Sequence, residues 1–187
     1  EAELVKMINT SVDINDKPSA IRYPRGTGIG AELPSIEEKI EIGKGKIIQE
    51  GTQVCLLSLG TRLEECKVAA EELKAKGIST TIIDARFAKP LDEKFIIELA
   101  SNHEAVITIE EGSIGGFGSH VTKLLSDREF FDKGLKFRSM ILPDKFLDQD
   151  SPENMYKTAG LDYESIVQKV ENVLNSNVVI AKNKNLS

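Results

Sequence analysis

Two arginines near the start of the chain are the residues best suited, by type and position, to hold a phosphate. Arg22 and Arg25 lie in the segment Arg22-Tyr-Pro-Arg-Gly26, which follows a short apolar run and leads into further glycines. An arginine at the end of a strand can hold a phosphate through a bidentate fork of N–H donors. Because side chains alternate along a strand, the two arginines would face opposite sides, and only one would serve such a site. The alternative is a surface ion pair, which would contribute less than about 1 kcal/mol.

A glycine-rich segment, residues 110–120, is the second candidate because it lies between a predicted strand and a predicted helix. Loops at such positions bind ligands in α/β proteins. Its glycines 115, 116 and 118 do not have the G-x-G-x-x-G spacing of a dinucleotide site, and no Walker lysine follows them. A structural alternative is that the glycines allow two domains to approach closely, with Ser119 or a neighbour capping the helix.

The remaining polar residues do not form a constellation that defines a mechanism. The segment Asp84–Asp92 connects a predicted strand to a predicted helix and contains charged residues of alternating sign. An ion-paired connection with Asp92 as the helix N-cap explains these charges without catalysis. His120 is of a residue type that serves in acid–base chemistry, but the sequence names no partner for it. Glu110 and Glu111 are adjacent, yet strand alternation points them to opposite sides. The sequence therefore predicts no catalytic residue in this chain.

These segments must be positioned by an alternation of strands and helices that begins at Lys46. Runs rich in apolar and β-branched residues predict four strands, at residues 54–59, 79–83, 105–109 and 137–142. Amphipathic stretches between and after them predict helices, and an isolated strand is also predicted at residues 19–23. Strands separated by helices favour an α/β fold, with a mostly parallel sheet and helices on both faces.

Local signals predict several helix ends. Thr61 with Glu64 three residues later has the pattern of a capping box. Gly77 suits a C-terminal cap. Ser151 is followed by a proline, the arrangement of an N-cap with proline at the first helical position.

Composition excludes several classes of protein. The chain has 187 residues, 40% of them hydrophobic, and a formal net charge of −6, and it has no basic stretch with interleaved aromatics that would indicate nucleic-acid binding. Cys55 and Cys66 do not form a CxxC pair, and no cluster of ligand residues has metal-binding spacing. The sequence shows no signal peptide and no apolar run long enough to span a membrane. We therefore expect a cytoplasmic protein.

The first residues do not resemble the start of a self-sufficient fold. Residues 1–34 combine one helix end with one short strand, which cannot bury a core, so we interpret them as the tail of a preceding domain; a decorated N-terminus is the alternative. Residues 35–45 would be a linker, residues 46–175 a second domain, and residues 176–187 a disordered tail. Because the first residue is Glu, we expect the chain to be a fragment or a processed product.

The same segments, in the same order, resemble the end of the 1-deoxy-D-xylulose-5-phosphate synthase family. Residues 18–26, Pro-Ser-Ala-Ile-Arg-Tyr-Pro-Arg-Gly, are similar to the close of that family's pyrimidine-binding middle domain. Residues 42–45, 84–92, 110–120 and 142–146, with 151–160 following, are similar to its transketolase-type C-terminal domain. The resemblance covers about residues 4–175. The pattern at 84–92 is shared with E1 β-subunits of 2-oxoacid dehydrogenases, so the arginine segment and Leu142-Pro-Asp are more selective.

The resemblance implies a thiamine-diphosphate enzyme that condenses pyruvate with D-glyceraldehyde 3-phosphate and releases CO2. The product, 1-deoxy-D-xylulose 5-phosphate, is a precursor of isoprenoids and thiamine. The second arginine of the family's Arg-Tyr-Pro-Arg element helps to hold the aldehyde phosphate, and it corresponds to Arg25. Arg22 is expected to be structural. The family also implies Mg2+ and a homodimer in the parent enzyme.

The sequence departs from the family by lacking its cofactor-binding elements. The Gly-Asp-Gly…Asn segment for Mg2+ and diphosphate, the glutamate that activates the aminopyrimidine and the middle-domain His and Arg are not present. We therefore expect no cofactor bound to this chain and no activity from it alone. Alternatives are a transketolase or E1 β-subunit domain, and a non-catalytic module for dimerisation or docking. A Rossmann dehydrogenase is a weaker alternative because the glycine fingerprint fails.

Overall fold

A computed structural model of the protein describes residues 1–24, 26, 28 and 30–176. The N-terminal helix α1 (Ala2–Ser11) is followed by a long irregular stretch. The remaining elements are β1 (Lys46–Gln49), β2 (Val54–Leu59), α2 (Leu63–Ala75), β3 (Thr80–Asp84), α3 (Glu93–Asn102), β4 (Ala105–Glu110), α4 (Phe117–Asp127), β5 (Lys136–Met140), α5 (Pro152–Ala159) and α6 (Tyr163–Asn175).

The strands form one sheet in the order β1-β3-β2-β4-β5. β3, β2, β4 and β5 are parallel, and β1 pairs antiparallel with β3 at one edge. Every residue of β3 and β4 is buried, as are all but the last of β2, because helices cover both faces of the sheet. The prediction of a mostly parallel α/β sheet with helices on both faces is confirmed.

Each face of the sheet has its own apolar core. On one face, α2 and α6 pack against alternate residues of the inner strands, with Leu73 and Val170 fully buried between them. On the other face, α3 and α4 cover the opposite set, with Phe117 and Leu125 at the centre. Alternation along each strand thus divides the apolar side chains between two helical layers.

The predicted helix ends have mixed outcomes. Gly77 has φ +78° and ends α2, with Ile78 N donating to Leu73 O at 2.9 Å, as in a Schellman cap. Ser151 Oγ accepts from Asn154 N at 3.3 Å at the start of α5. The predicted capping box is wrong, because α2 begins at Leu63 and its N-cap residue makes no side-chain cap bond.

The strand predicted at residues 19–23 is not present in the structure. A strand requires a neighbour with which to exchange N–H···O bonds, and the five strands of the sheet do not extend to this segment. The segment is irregular and instead contacts the sheet through a side chain, Arg22.

Helix α1 is attached to the irregular stretch that follows it. Asn9 Nδ2 donates to the carbonyls of Ser35 and Glu38 at 3.2 and 3.1 Å. Ile40 N donates to the buried Thr10 hydroxyl at 2.9 Å. The boundaries 1–34, 35–45 and 46–175 stay a prediction. The predicted disordered tail, apart from residue 176, lies outside the described residues.

Candidate functional site

The polar groups that could carry function gather where the parallel strands end. β2, β3 and β4 end at the same edge of the sheet, and the residues that follow them are Gly60-Thr61-Arg62, Ala85-Arg86 and Glu111-Gly112. Because β3 and β4 lie on opposite sides of β2, the chain reverses its direction of winding between β2 and β4. In open α/β sheets this switch point is where ligands bind.

Glu110, the last residue of β4, is buried and caps helix α4. It is 3% exposed, and its carboxylate accepts from Phe117 N at 3.1 Å and from Gly118 N at 2.8 Å. A carboxylate is favourable at a helix N-terminus because it meets unpaired N–H groups and the positive end of the dipole. The predicted cap by Ser119 is therefore wrong, since Ser119 Oγ accepts from Gly115 N at 2.9 Å.

The glycines of the loop make room for this carboxylate. A Cβ at Gly112 would lie 2.3 Å from Glu110 Oε2, and one at Gly116 would lie 2.7 Å from the same atom. Any larger residue at either position would displace the carboxylate from the helix N-terminus. The glycines at positions 112 and 116 are thus explained by the packing of Glu110 within the domain.

Glu111 points away from Glu110, as strand alternation predicts, and it is the centre of a separate polar cluster. Its Oε1 accepts from Arg62 Nε at 2.9 Å and also from the Thr61 hydroxyl. The Arg62 guanidinium lies 3.6 Å above the ring centroid of Tyr156 on α5, a cation–π contact. Burial, followed by a hydrogen bond to Glu111, raises the pKa of Tyr156.

This cluster, which we call the Glu111 cluster (Thr61, Arg62, Glu111 and Tyr156), joins the ends of β2 and β4 to α5. The Arg62 and Glu111 side chains are 12% and 18% exposed, so their ion pair is only partly screened by water. Sequence reasoning missed the cluster because Thr61 was interpreted as a cap. The signal was present: polar residues directly follow two strands that a parallel sheet places side by side.

Arg22 reaches the Glu111 cluster from the N-terminal segment. Its Nη2 donates to the backbone oxygen of Glu111 at 2.6 Å, across 89 residues of sequence. The other arginine of the segment, Arg25, is the predicted phosphate ligand and lies outside the described residues. Its role therefore stays a prediction.

A second attachment of the N-terminal segment lies at the end of β3. Arg86 Nη2 donates to Glu3 Oε1 of α1 at 3.0 Å, and Arg86 Nε lies 2.9 Å from Glu3 Oε2 as an ion pair without hydrogen-bond geometry. Arg86 has a left-handed φ of 57°, and its N–H donates to the Asp84 carboxylate at 3.1 Å. Burial, more than any charge, raises the pKa of Asp84. The predicted ion-paired connection is present.

Asp92 lies at the N-cap position of α3, but its carboxylate does not cap the helix. It accepts from Gly45 N at 3.3 Å and lies 3.4 Å from Lys44 Nζ. The carboxylate therefore binds the two residues that precede β1 instead of the start of α3. The predicted N-cap position of Asp92 is therefore confirmed, without a side-chain cap bond.

The remaining candidates for chemistry are metal-binding side chains and the two cysteines. In the part of the chain that the structure describes, no group of three His, Cys, Asp or Glu side chains is placed to hold a metal ion. Cys55 and Cys66 are both fully buried, and burial raises the pKa of each thiol, that of Cys66 to about 12. Such thiols are not reactive nucleophiles at neutral pH. Among the described residues, no helix is both long and apolar enough to cross a membrane.

Comparison with known proteins places this fold in a family. The family described as "Transketolase, C-terminal domain" matches residues 43–166, and the chain belongs to this family. A protein solved as "Split gene transketolase, inactive beta4 tetramer" is similar at 30% sequence identity and a TM-score of 0.67, over 77% of this chain and 46% of that chain. A transketolase from Campylobacter jejuni subsp. jejuni NCTC 11168 is similar at 15% identity and a TM-score of 0.48, over 70% of this chain and 18% of that one. The chain thus spans less than half of each of these two relatives.

Proposed function

We propose that the parent protein of this domain is a 1-deoxy-D-xylulose-5-phosphate synthase. Membership of the transketolase C-terminal domain family supports a transferase of this superfamily. The observation that carries the narrower assignment is the combination of two sequence elements, Arg22-Tyr-Pro-Arg-Gly26 before that domain and Leu142-Pro-Asp-Lys-Phe146 within it. The reaction joins the two-carbon acetyl unit of pyruvate to the aldehyde carbon of D-glyceraldehyde 3-phosphate and releases the carboxylate of pyruvate as CO2.

Arg25 is the residue of this chain that we assign to substrate binding. The aldehyde substrate has a terminal phosphate, which a guanidinium can bind with two parallel N–H donors. Binding the phosphate would orient the aldehyde carbon without touching it, so the expected contribution is to affinity and alignment rather than to bond making.

The cofactor of the parent would be held elsewhere in the enzyme. Thiamine diphosphate supplies the electron sink for decarboxylation in enzymes of this type. The carboxylates at the sheet edge of this chain do not fit its Mg2+ and diphosphate, because each already has a protein partner. Glu110 binds the start of α4, Glu111 binds the Arg62 side chain, and Asp84 accepts from the backbone N–H of Arg86. We derive no step through the cofactor from these residues. A homodimeric, cytoplasmic parent stays a prediction.

A transketolase is the second candidate, and the 30% identical split-gene transketolase favours it. Such an enzyme transfers a two-carbon ketol unit between sugar phosphates and releases no CO2. An E1 β-subunit would instead pass an acyl group to lipoamide and would need no phosphate clamp at Arg25. The three activities therefore differ in their products.

Mass spectrometry of the products made by the full-length parent distinguishes these activities. With pyruvate, D-glyceraldehyde 3-phosphate, Mg2+ and thiamine diphosphate, we expect deoxyxylulose phosphate and one CO2 per turnover. Arg25→Ala should raise the KM for the aldehyde phosphate at least about tenfold, since a charge-assisted phosphate contact is lost. Arg138→Ala is the matched control, because the Arg138 side chain is exposed on β5 and bonds to the carbonyl of its own neighbour Phe137.

Two results would contradict the proposal. Ketol exchange between sugar phosphates, without consumption of pyruvate, would establish the transketolase alternative. Turnover by the 187-residue chain alone would refute the expectation that it needs the rest of the parent for activity.

A further inference from the structure

Helix α5 lies at the carboxyl edge of the sheet, beside the crevice between the ends of β2 and β4. Open α/β sheets bind ligands in a crevice of this kind. The Tyr156 ring of α5 lies 3.6 Å from the Arg62 guanidinium, and its hydroxyl interacts with the Glu111 carboxylate. Because Arg62 and Glu111 lie just beyond the ends of β2 and β4, α5 covers polar groups of the crevice.

The helix that makes this cover buries little of its own surface. None of the eight residues of α5, all of which the structure describes, is buried, whereas the next helix, α6, buries four. Tyr156 and Ala159 are partly buried and pack against the edge of the core formed by α2 and α6. The ion pair of Lys157 with Glu164 is exposed, so it adds little to the attachment. A helix with so little buried apolar surface has a low free energy of local opening.

The two ends of α5 differ in how firmly they are held. Before the helix, the side chains of residues 144–150 are exposed except that of Leu147. After it, Gly160 has a left-handed φ of +71°, and Leu161 is fully buried in the core. Because glycine has no Cβ, the backbone at Gly160 can change conformation while Leu161 keeps its place.

We propose that α5 is a lid over the crevice between β2 and β4, hinged at Gly160 and held shut by the contact of Tyr156 with Arg62. Opening of the lid exposes the side chains of Arg62 and Glu111, which are 12% and 18% exposed when it is shut. A single cation–π contact is weak enough to break while the domain stays folded. The lid is a property of this chain, whichever reaction the parent catalyses.

Native-state hydrogen exchange of the 187-residue chain, at low concentrations of urea, measures whether α5 opens by itself. It reads the hydrogen-bonded N–H groups of α5, among them Met155 N, which donates to Ser151 O at 2.9 Å. We expect their protection factors to be at least about tenfold below those in the middle of α6. They should also change little with urea, because a local opening exposes little new surface. Equal protection and equal urea dependence in the two helices overturn the inference, since α5 would then open only when the domain unfolds.

The contact that holds the lid shut is tested with Tyr156→Ala, Tyr156→Phe and the control Lys157→Ala. Tyr156→Ala removes the ring and should lower the protection of α5 about fivefold further, with α6 unchanged. Tyr156→Phe keeps a ring over Arg62, so its effect should be smaller. Lys157→Ala loses only the exposed pair with Glu164 and should leave the protection of α5 unchanged. Equal effects of Tyr156→Ala and Lys157→Ala would show that Tyr156 does not hold the lid.

Phenylglyoxal, a small reagent that modifies arginine side chains, tests whether α5 covers the crevice. Peptide mass spectrometry would follow its reaction with Arg62 and with the exposed Arg138, which is the internal reference. We expect slow modification of Arg62 in the wild type and a rate at least about fivefold higher in Tyr156→Ala, with Arg138 unchanged. The same rate at Arg62 in both proteins would mean that α5 does not cover it, and the lid would be refuted.

Discussion

At the scale of single residues, two adjacent glutamates have separate tasks because strand alternation points them apart. Glu110 is buried and caps α4, whereas Glu111 binds Thr61 and Arg62. Both carboxylates thus have protein hydrogen-bond partners. The Glu110 contact also explains why glycines, rather than larger residues, follow β4.

Replacing Glu110 should destabilise the domain. Glu110→Ala would leave the buried N–H groups of Phe117 and Gly118 without their acceptor, and we expect the free energy of unfolding to fall by about 2 kcal/mol. Glu110→Gln keeps an acceptor but loses the charge at the helix N-terminus, so its loss should be smaller. Urea denaturation followed by circular dichroism measures both variants.

The control for this experiment is Glu71→Ala, on the exposed side of α2. We expect it to change the free energy of unfolding by less than about 0.5 kcal/mol. An equal effect of Glu110→Ala and Glu71→Ala would show that the cap contributes nothing to stability.

At the scale of elements, hydrophobic pattern predicted the sheet well because each inner strand is buried on both faces. The runs at residues 54–59, 79–83 and 105–109 are almost entirely apolar or β-branched, and they became β2, β3 and β4 within one residue at each end. The strand at residues 19–23 failed because local composition does not specify a pairing partner. A strand that depends on hydrogen bonds to a distant part of the chain is not specified by its own few residues.

The caps and the candidate site show the same division between local and long-range information. Gly77 and Ser151 were predicted correctly because their partners lie within a few residues. Asp92 does lie at the N-cap position of α3, but its carboxylate binds Gly45 N, and the Thr61 hydroxyl binds Glu111, so neither side chain makes the predicted cap bond. The Glu111 cluster joins residues up to 95 positions apart in sequence, so only the folded sheet brings it together.

The connection from β1 to β2 depends on a glycine that crosses the backbone of β3. A Cβ at Gly51 would lie 2.3 Å from the carbonyl carbon of Thr80, and backbone cannot move aside as a side chain can. Gly51→Ala should therefore lower the free energy of unfolding by about 2 to 3 kcal/mol. Thermal unfolding would measure the loss, with Gly26→Ala as control because a Cβ at Gly26 meets no atom within 4 Å. Equal melting temperatures for the two variants would contradict this account of the crossing.

At the scale of the whole molecule, described residues of the N-terminal segment are attached to the carboxyl edge of the sheet at the ends of two strands. Arg22 binds at the end of β4, and Glu3 binds Arg86 at the end of β3. The two contacts lie on opposite sides of β2, so together they fix helix α1 and the segment after it to the edge at which α/β domains bind ligands. One contact is a hydrogen bond to a carbonyl and the other is an ion pair, so they should respond differently to salt.

The coupling between Glu3 and Arg86 can be isolated with a double-mutant cycle. We expect Glu3→Ala, Arg86→Ala and the double variant to give a coupling free energy of about 1 kcal/mol, because the Arg86 side chain is only 13% exposed and is screened less than a surface charge. The reference is the exposed pair Lys123 and Asp127 on α4, for which the coupling should be below about 0.5 kcal/mol. Raising the salt concentration from 0.1 to 1 M shortens the Debye length from about 10 to about 3 Å. This change should remove the coupling between Lys123 and Asp127 at a lower salt concentration than the coupling between Glu3 and Arg86. Identical couplings in the two pairs would mean that helix α1 is not held by this contact, and Arg22 would then be the attachment that orders the N-terminal segment.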